Sequence, residues 1–166
     1  MINTDRTFCT YENIYYEMWE IAGRYTEIAQ FQVIGQSHDD RMIPMVQIGK
    51  GAETVFCIAG LSGRDRCMPV YLMHMLKEYV KAWECRWKLE NLYDLRVLLE
   101  DWKICFIPLL NPDGYEIYEK DFYAIRNPIY RQMLRMQEIP CKEFICNSRG
   151  AVSYTHLRAH ETLANL

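Results

Sequence analysis

The sequence lacks the features that mark several common classes of protein. Its seven cysteines form no Cys-x-x-Cys pair, and their odd, scattered arrangement indicates reduced thiols packed as small hydrophobic side chains. No apolar run approaches the roughly 18 residues of a membrane span. The start, residues 1–6, has neither the basic beginning nor the apolar core of a signal peptide. The cellular location therefore stays open, with the cytoplasm slightly favoured.

An excess of positive charge is also missing. Lysine and arginine number 19 against 22 acidic residues, which gives a formal net charge of −3, and the two signs are interspersed. Nucleic-acid binding and polybasic membrane anchoring both depend on a concentrated basic patch. We therefore expect no nucleic-acid partner and no polybasic anchor.

What the sequence has is an ordered series of helix and strand signals without repeats or long linkers, which favours one domain. Thr10 can cap a helix from Tyr11 to about Arg24, where apolar residues recur at helical spacing. Two strand signals then surround the polar loop 35–41. Pro44 predicts that part of the second strand lies at an edge.

Two continuous apolar segments, residues 55–59 and 103–110, read as buried strands. A helical pattern beginning near Pro69 and a second, shorter or broken one over residues 87–100 separate them, and this alternation favours parallel pairing in an α/β sheet. Such sheets bind ligands beyond the carboxyl ends of their strands. The second strand runs into Asn-Pro-Asp-Gly, residues 111–114, which predicts an abrupt turn.

Three motifs occur in an order that is typical of one family. They are residues 34–41 (Ile-Gly-Gln-Ser-His-Asp-Asp-Arg), residues 55–66 (Val-Phe-Cys-Ile-Ala-Gly-Leu-Ser-Gly-Arg-Asp-Arg) and residues 108–115 (Pro-Leu-Leu-Asn-Pro-Asp-Gly-Tyr). Over roughly residues 11–150 the chain resembles the zinc carboxypeptidases, the carboxypeptidase A-like metallopeptidases. The resemblance implies an α/β fold, the N-terminal half of a mixed, mainly parallel sheet flanked by helices. It also implies peptide substrates that are cleaved at their C-terminal residue.

The resemblance divides the chain into two parts. The family's catalytic domain is considerably longer, so residues 1–150 are expected to form a partial carboxypeptidase-like domain. Residues 152–162 resemble a translated sequencing adapter, and we expect residues 151–166 to be a non-native tail that should be excluded from fold reasoning. If the tail were native, His156 and His160 could share a metal from one helix face.

The metal motif of this family is His-x-x-Glu, which supplies two of the three protein ligands of zinc. Ser62-Gly-Arg-Asp65 stands at that position. A serine hydroxyl stays protonated near neutral pH and is a poor zinc ligand, and aspartate is shorter than glutamate. The resemblance thus implies Ser62 and Asp65 as the metal positions of a degenerate site, with zinc bound weakly or not at all. Alternatively, both side chains only hydrogen-bond the turn.

Two arginines are the candidates for binding substrate. Arg126, fifteen residues after Asn111, matches the arginine that polarises the scissile carbonyl in the family, which implies a catalytic and substrate-binding role. Arg64 lies inside the metal motif and is a second substrate-binding candidate. A guanidinium donates in a rigid fork that suits carbonyl and carboxylate groups. Either side chain could instead be solvated or form a structural ion pair.

The function stays open between a fragment of a zinc metallocarboxypeptidase that is itself inactive and a non-catalytic, carboxypeptidase-like peptide-binding module. A third possibility is an unrelated doubly wound binding domain.

Overall fold

Helices and strands alternate along most of the chain in the computed structural model, which describes residues 10–89 and 93–152. The helices are α1 (Tyr11–Arg24), α2 (Cys67–Cys85), α3 (Leu95–Asp101), α4 (Pro112–Lys120) and α5 (Pro128–Arg135). The strands are β1 (Ala29–Gln36), β2 (Met42–Ile48), β3 (Glu53–Ile58), β4 (Lys88–Leu89), β5 (Tyr93–Asp94) and β6 (Trp102–Ile107). Short 3-10 turns occupy Asp121–Ala124 and Cys141–Glu143. Apart from residues 151 and 152, the expected tail with His156 and His160 lies outside the described residues.

The main sheet has the strand order β1-β2-β6-β3. Strand β3 pairs in parallel with β6, with Val55 opposite Ile104, so the parallel pairing predicted for the two apolar segments is confirmed. The pairs β1–β2 and β2–β6 are antiparallel. The expectation of a mixed sheet flanked by helices is therefore confirmed, and the parallel part within the described residues is the β3–β6 pair.

The main core lies between one face of the sheet and the first two helices. Ile14 and Met18 of α1 and Leu76 of α2 pack with Ile104 and Phe106 of β6, all at most 7% exposed. Burial of each such side chain contributes about 1.5–3 kcal/mol. A smaller cluster of Met45, Cys105 and Ile107 forms separately, because neighbouring residues of a strand point to opposite faces.

Helix α1 has the predicted bounds because its first turn is capped. The Thr10 hydroxyl accepts a hydrogen bond from the amide of Asn13 at 3.2 Å, which satisfies one of the free N–H groups of a helix start. Buried residues Ile14 and Met18 recur four apart, as an amphipathic helix requires.

Strand β3 differs from the prediction of a fully buried strand. It lies at the edge of the sheet, and Val55, Phe56 and Ile58 are 42%, 59% and 47% exposed. An apolar run predicts a strand but not the number of its neighbours, and within the described part of the chain β3 pairs with β6 alone.

The predicted edge character of β2 is correct for part of that strand. Strand β2 lies inside the sheet, but only residues 46–48 pair with β6. Pro44 lies opposite Val33 of β1, where the register between β1 and β2 shifts, and it has no partner in β6. The missing N–H of proline therefore interrupts no hydrogen bond between β2 and β6.

The shorter or broken helix predicted over residues 87–100 is confirmed for residues 95–100 and wrong for residues 88–89 and 93–94. Residues 88–89 pair with residues 93–94 in a short antiparallel ladder, and α3 begins only at Leu95. The Asp94 side chain accepts a hydrogen bond from the amide of Arg96 at 3.0 Å and so caps the helix at that point.

The six cysteines of the described residues are free thiols. Burial raises the pKa of the Cys57 and Cys105 thiols.

A helix that spans a membrane needs both sufficient length and sufficient hydrophobicity. Within residues 10–89 and 93–152, no helix has both.

Candidate functional site

The loops that follow the two parallel strands lie side by side. After β3 and β6, the amide of Leu110 donates to the carbonyl of Ala59 at 3.0 Å, and the amide of Asn111 donates to that of Gly60 at 2.8 Å. Gly60 has φ +63°, a conformation that favours glycine and turns the chain out of the sheet. The two motifs at the carboxyl ends of these strands are thus in contact, as the parallel arrangement predicts.

The two loops approach so closely that only glycine fits between them. A Cβ placed on Gly63 would lie 2.2 Å from the carbonyl oxygen of Gly114. The Asn111 amide group adds a polar link, since its Nδ2 donates to the Leu61 carbonyl at 3.1 Å and to the Cys146 carbonyl at 3.3 Å. The turn over residues 60–66 is therefore fixed against residues 111–114.

Asn-Pro-Asp-Gly, for which the sequence predicts an abrupt turn, is also the start of helix α4. The Asn111 side chain accepts a hydrogen bond from the amide of Gly114 at 3.0 Å, and Pro112 occupies the first helical position of α4. Proline is compatible with that position because the N–H it lacks would have no helical partner there. The same residues that favour a turn also favour a helix N-terminus.

Ser62 and Asp65 both hydrogen-bond the turn in which they lie. The Asp65 carboxylate accepts from the amide of Gly60 at 3.2 Å through Oδ2 and from the amide of Met68 at 3.2 Å through Oδ1. The Ser62 hydroxyl accepts from the amide of Arg64 at 3.3 Å. The hydrogen bonds expected by the turn interpretation are confirmed. Asp65 thereby satisfies one free amide in the first turn of α2, although Arg66 is the N-cap residue.

A buried charge cluster, which we call the Arg41 cluster, lies beside these loops and was missed from the sequence. It consists of Arg41, Asp39 and Asp113, each at most 5% exposed. Arg41 Nη1 lies 2.6 Å from Asp39 Oδ2 and 3.0 Å from Asp113 Oδ1. One guanidinium thus pairs with two carboxylates that would be costly to bury without a partner.

Hydroxyl groups complete the hydrogen bonding of Asp113. Ser37 Oγ donates to Oδ1 at 2.6 Å and Ser148 Oγ donates to Oδ2 at 2.8 Å, so segments distant in sequence meet at one carboxylate. Ser37 and Arg41 belong to the first motif, and Asp113 belongs to the third. Their membership of these motifs was the signal available in the sequence, but it does not reveal that the three side chains contact one another.

The loop over residues 124–127 is attached to the same cluster. Arg41 Nη2 donates to the carbonyl of Ala124 at 2.6 Å. The Asp39 carboxylate accepts from the amide of Arg126 at 2.8 and 3.0 Å and from the amide of Asn127 at 2.9 Å. The candidate Arg126 is therefore held by the hairpin loop between β1 and β2.

Comparison with known proteins decides the family. Residues 14–143, most of the chain, match the sequence profile described as zinc carboxypeptidase. The chain belongs to the zinc carboxypeptidase family. No curated protein matches it.

Several solved structures share the zinc carboxypeptidase fold of the chain. Bovine thrombin-activatable fibrinolysis inhibitor in complex with tick carboxypeptidase inhibitor superposes with a TM-score of 0.56 at 18% identity, over 68% of this chain and 34% of that one. Carboxypeptidase A from Helicoverpa armigera gives 0.55 at 17% identity, over 67% and 26%. A metallo-carboxypeptidase from Burkholderia cenocepacia gives 0.57 at 15% identity, over 93% and 36%. The chain thus spans between about a quarter and about a third of the length of these proteins.

Membership in the zinc carboxypeptidase family implies zinc, and the residues present do not fit it. Among residues 10–89 and 93–152, no three His, Cys, Asp or Glu side chains are grouped as a metal site. Serine at position 62 offers a protonated hydroxyl, and both oxygens of Asp65 already accept main-chain hydrogen bonds. The assignment of Ser62 and Asp65 as metal positions stays a prediction.

The two candidate arginines both reach the surface. Arg126 is exposed, and its Nη1 donates to the carbonyl of Asp40 at 3.1 Å. Arg64 is also exposed, on the turn that carries Ser62 and Asp65. Their substrate-binding roles, and the catalytic role of Arg126, stay predictions that follow from the family resemblance.

Proposed function

We propose that this chain is part of a longer carboxypeptidase-like protein and that, by itself, it binds the C-terminal end of a peptide without hydrolysing it. The observation that carries the proposal is the use of Ser62 and Asp65 as acceptors within their own turn. The share of the solved chains that it spans, about a third, supports the first part.

The chemistry available for binding is that of two exposed guanidinium groups. Arg64 follows the end of β3, and Arg126 stands on a loop that the Arg41 cluster ties to the end of β6. A guanidinium can donate two parallel hydrogen bonds to a carboxylate, or one to a carbonyl. Because both side chains are solvated, each ion pair contributes about 1 kcal/mol or less, and the affinity is expected to be weak.

The test uses benzoyl-Gly-Phe, a blocked dipeptide with a free carboxylate, and its C-terminal amide. Titration followed by NMR should show binding of the carboxylate form and weaker binding of the amide. Arg126→Ala and Arg64→Ala should each weaken binding of the carboxylate form. Arg135→Ala removes an equal charge from α5 and should leave it unchanged. Equal binding of both dipeptides, or equal effects of all three substitutions, would count against the proposal.

A second candidate is that the complete protein hydrolyses C-terminal residues with zinc. The family match over residues 14–143 and the arginine at position 126 favour it. Sequencing the gene beyond codon 150 and expressing the full product would test it. If the full product binds one zinc ion per chain and cleaves benzoyl-Gly-Phe, it is a hydrolase. If it does neither, the non-catalytic peptide-binding module is the better interpretation.

A further inference from the structure

We propose that Asp39 is the positioning residue for Arg126, which it holds in the place from which the guanidinium meets a peptide. The choice of a peptide as the ligand rests on the proposed function. The positioning of Arg126 by Asp39 rests on the contacts of the Arg41 cluster.

The first step is the contact between Asp39 and the main chain of the Arg126 loop. The carboxylate is 1% exposed and accepts from two consecutive amides, Arg126 at 2.8 Å and Asn127 at 2.9 Å. Hydrogen bonds to an ionised acceptor are roughly twice as strong as neutral ones. Two of them on adjacent residues fix the direction of the chain as well as its distance.

The second step is that the hairpin loop over residues 37–41 holds this segment at further points. Arg41 Nη2 donates to the carbonyl of Ala124 at 2.6 Å, two residues before Arg126. Arg126 Nη1 donates to the carbonyl of Asp40 at 3.1 Å. The main chain and the side chain of Arg126 therefore both take their position from one loop.

The third step links this position to the turn that carries Arg64. Arg41 contacts Asp113 at 3.0 Å, and two residues earlier the Asn111 side chain donates to the carbonyl of Leu61 at 3.1 Å. The cluster thus connects Arg126 to the turn over residues 60–66 through a continuous series of buried and part-buried hydrogen bonds. Moving Asp39 would change where Arg126 stands relative to Arg64.

The test compares two substitutions of neighbouring aspartates. Asp39→Asn keeps the shape of the side chain and removes its charge. Asp40→Asn removes the same charge from an exposed residue whose φ of 59° asparagine tolerates.

Amide exchange followed by NMR reports the two hydrogen bonds directly. In Asp39→Asn the amides of Arg126 and Asn127 should exchange at least about tenfold faster, while the amide of Phe106 in β6 stays protected. Asp40→Asn should leave all three unchanged. Unchanged exchange in Asp39→Asn would overturn the proposal.

A measurement on the wild-type protein covers the case in which Asp39→Asn does not fold. A scalar coupling across the hydrogen bond, between the Arg126 amide nitrogen and the carboxyl carbon of Asp39, should be detectable. If the coupling is absent from a well-resolved spectrum of the wild-type protein, the proposal that Asp39 positions Arg126 is overturned.

Binding of benzoyl-Gly-Phe separates positioning from general support of the fold. Asp39→Asn should weaken binding several-fold in the wild-type background and have little effect in an Arg126→Ala background, as a double-mutant cycle shows for coupled residues. Equal weakening in both backgrounds would overturn the proposal. If the wild type does not bind the dipeptide, the proposed function fails, and the exchange and coupling measurements decide the positioning on their own.

Discussion

The guanidinium of Arg41 lies 3.0 Å from the carboxylate of Asp113, a residue 72 positions further along the sequence. Both side chains are buried, and the contact joins the loop after β1 to the first turn of α4. Because Asp39 shares the same guanidinium, one cation serves two carboxylates. The stability of the domain should therefore depend strongly on Arg41.

We expect Arg41→Met to lower the free energy of unfolding by about 3–5 kcal/mol, since it leaves two buried carboxylates without their cation. Urea unfolding followed by far-UV circular dichroism measures this. Arg24→Met is the matched substitution, because the pair of Arg24 with Glu84 is exposed, at 3.6 Å, and should contribute about 1 kcal/mol or less. Equal losses in the two variants would show that the cluster does not support the fold.

Two glycine-to-alanine substitutions should change stability in opposite directions. Gly63→Ala places a Cβ 2.2 Å from the Gly114 carbonyl, which forces the two loops apart and should cost more than about 1–3 kcal/mol. Gly23→Ala lies near the end of α1 with nothing within 4 Å and should add about 0.5–1 kcal/mol. Thermal unfolding of both variants gives the signs. A neutral Gly63→Ala would mean that the loops separate easily.

The ion pair between Lys120 and Glu116 should make stability depend on pH at the alkaline end. Glu116 is 2% exposed, and its Oε2 accepts a hydrogen bond from Lys120 Nζ at 2.5 Å. This hydrogen bond raises the pKa of Lys120 above its ordinary value. A raised folded-state pKa gives stability that is present below the ordinary lysine pKa and is lost as pH rises through the folded one.

Lys120→Met should therefore destabilise the protein at pH 7 by about 1–2 kcal/mol, less than a fully buried pair because Lys120 is half exposed. The difference from wild type should shrink above pH 10.5. Urea unfolding of both proteins at neutral and alkaline pH measures it, and a difference that stays constant with pH would contradict the assignment.

The exposed edge strand β3 should promote self-association. Phe56 is 59% exposed on β3, the edge strand of the sheet within the described residues, and an exposed apolar edge strand favours pairing between copies. Phe56→Lys should lower the apparent mass at high concentration in light scattering. Val97→Lys, at a residue 60% exposed on α3 and away from any edge, should have no such effect. If both variants behave alike, net charge and not the edge controls association.

The sequence by itself determined most of the local elements and the family. Thr10 with the spacing of Ile14 and Met18 specifies α1, because capping and amphipathic periodicity act within a few residues of each other. The apolar run of β6 and the glycine and proline of the third motif likewise act locally. The three motifs retain their order along the chain, and this order is sufficient to indicate the zinc carboxypeptidase family.

Only the tertiary structure decided how the motifs are used. Asp39, Arg41 and Asp113 belong to two separate motifs, and no short-range rule predicts that one guanidinium pairs with both carboxylates. The exposure of Phe56 depends equally on which strands lie beside β3. Burial and ion pairing are properties of segments brought together by folding. Residues 70 or more positions apart must already be placed before their charges can interact, so the buried cluster follows from the packing and not from any one segment.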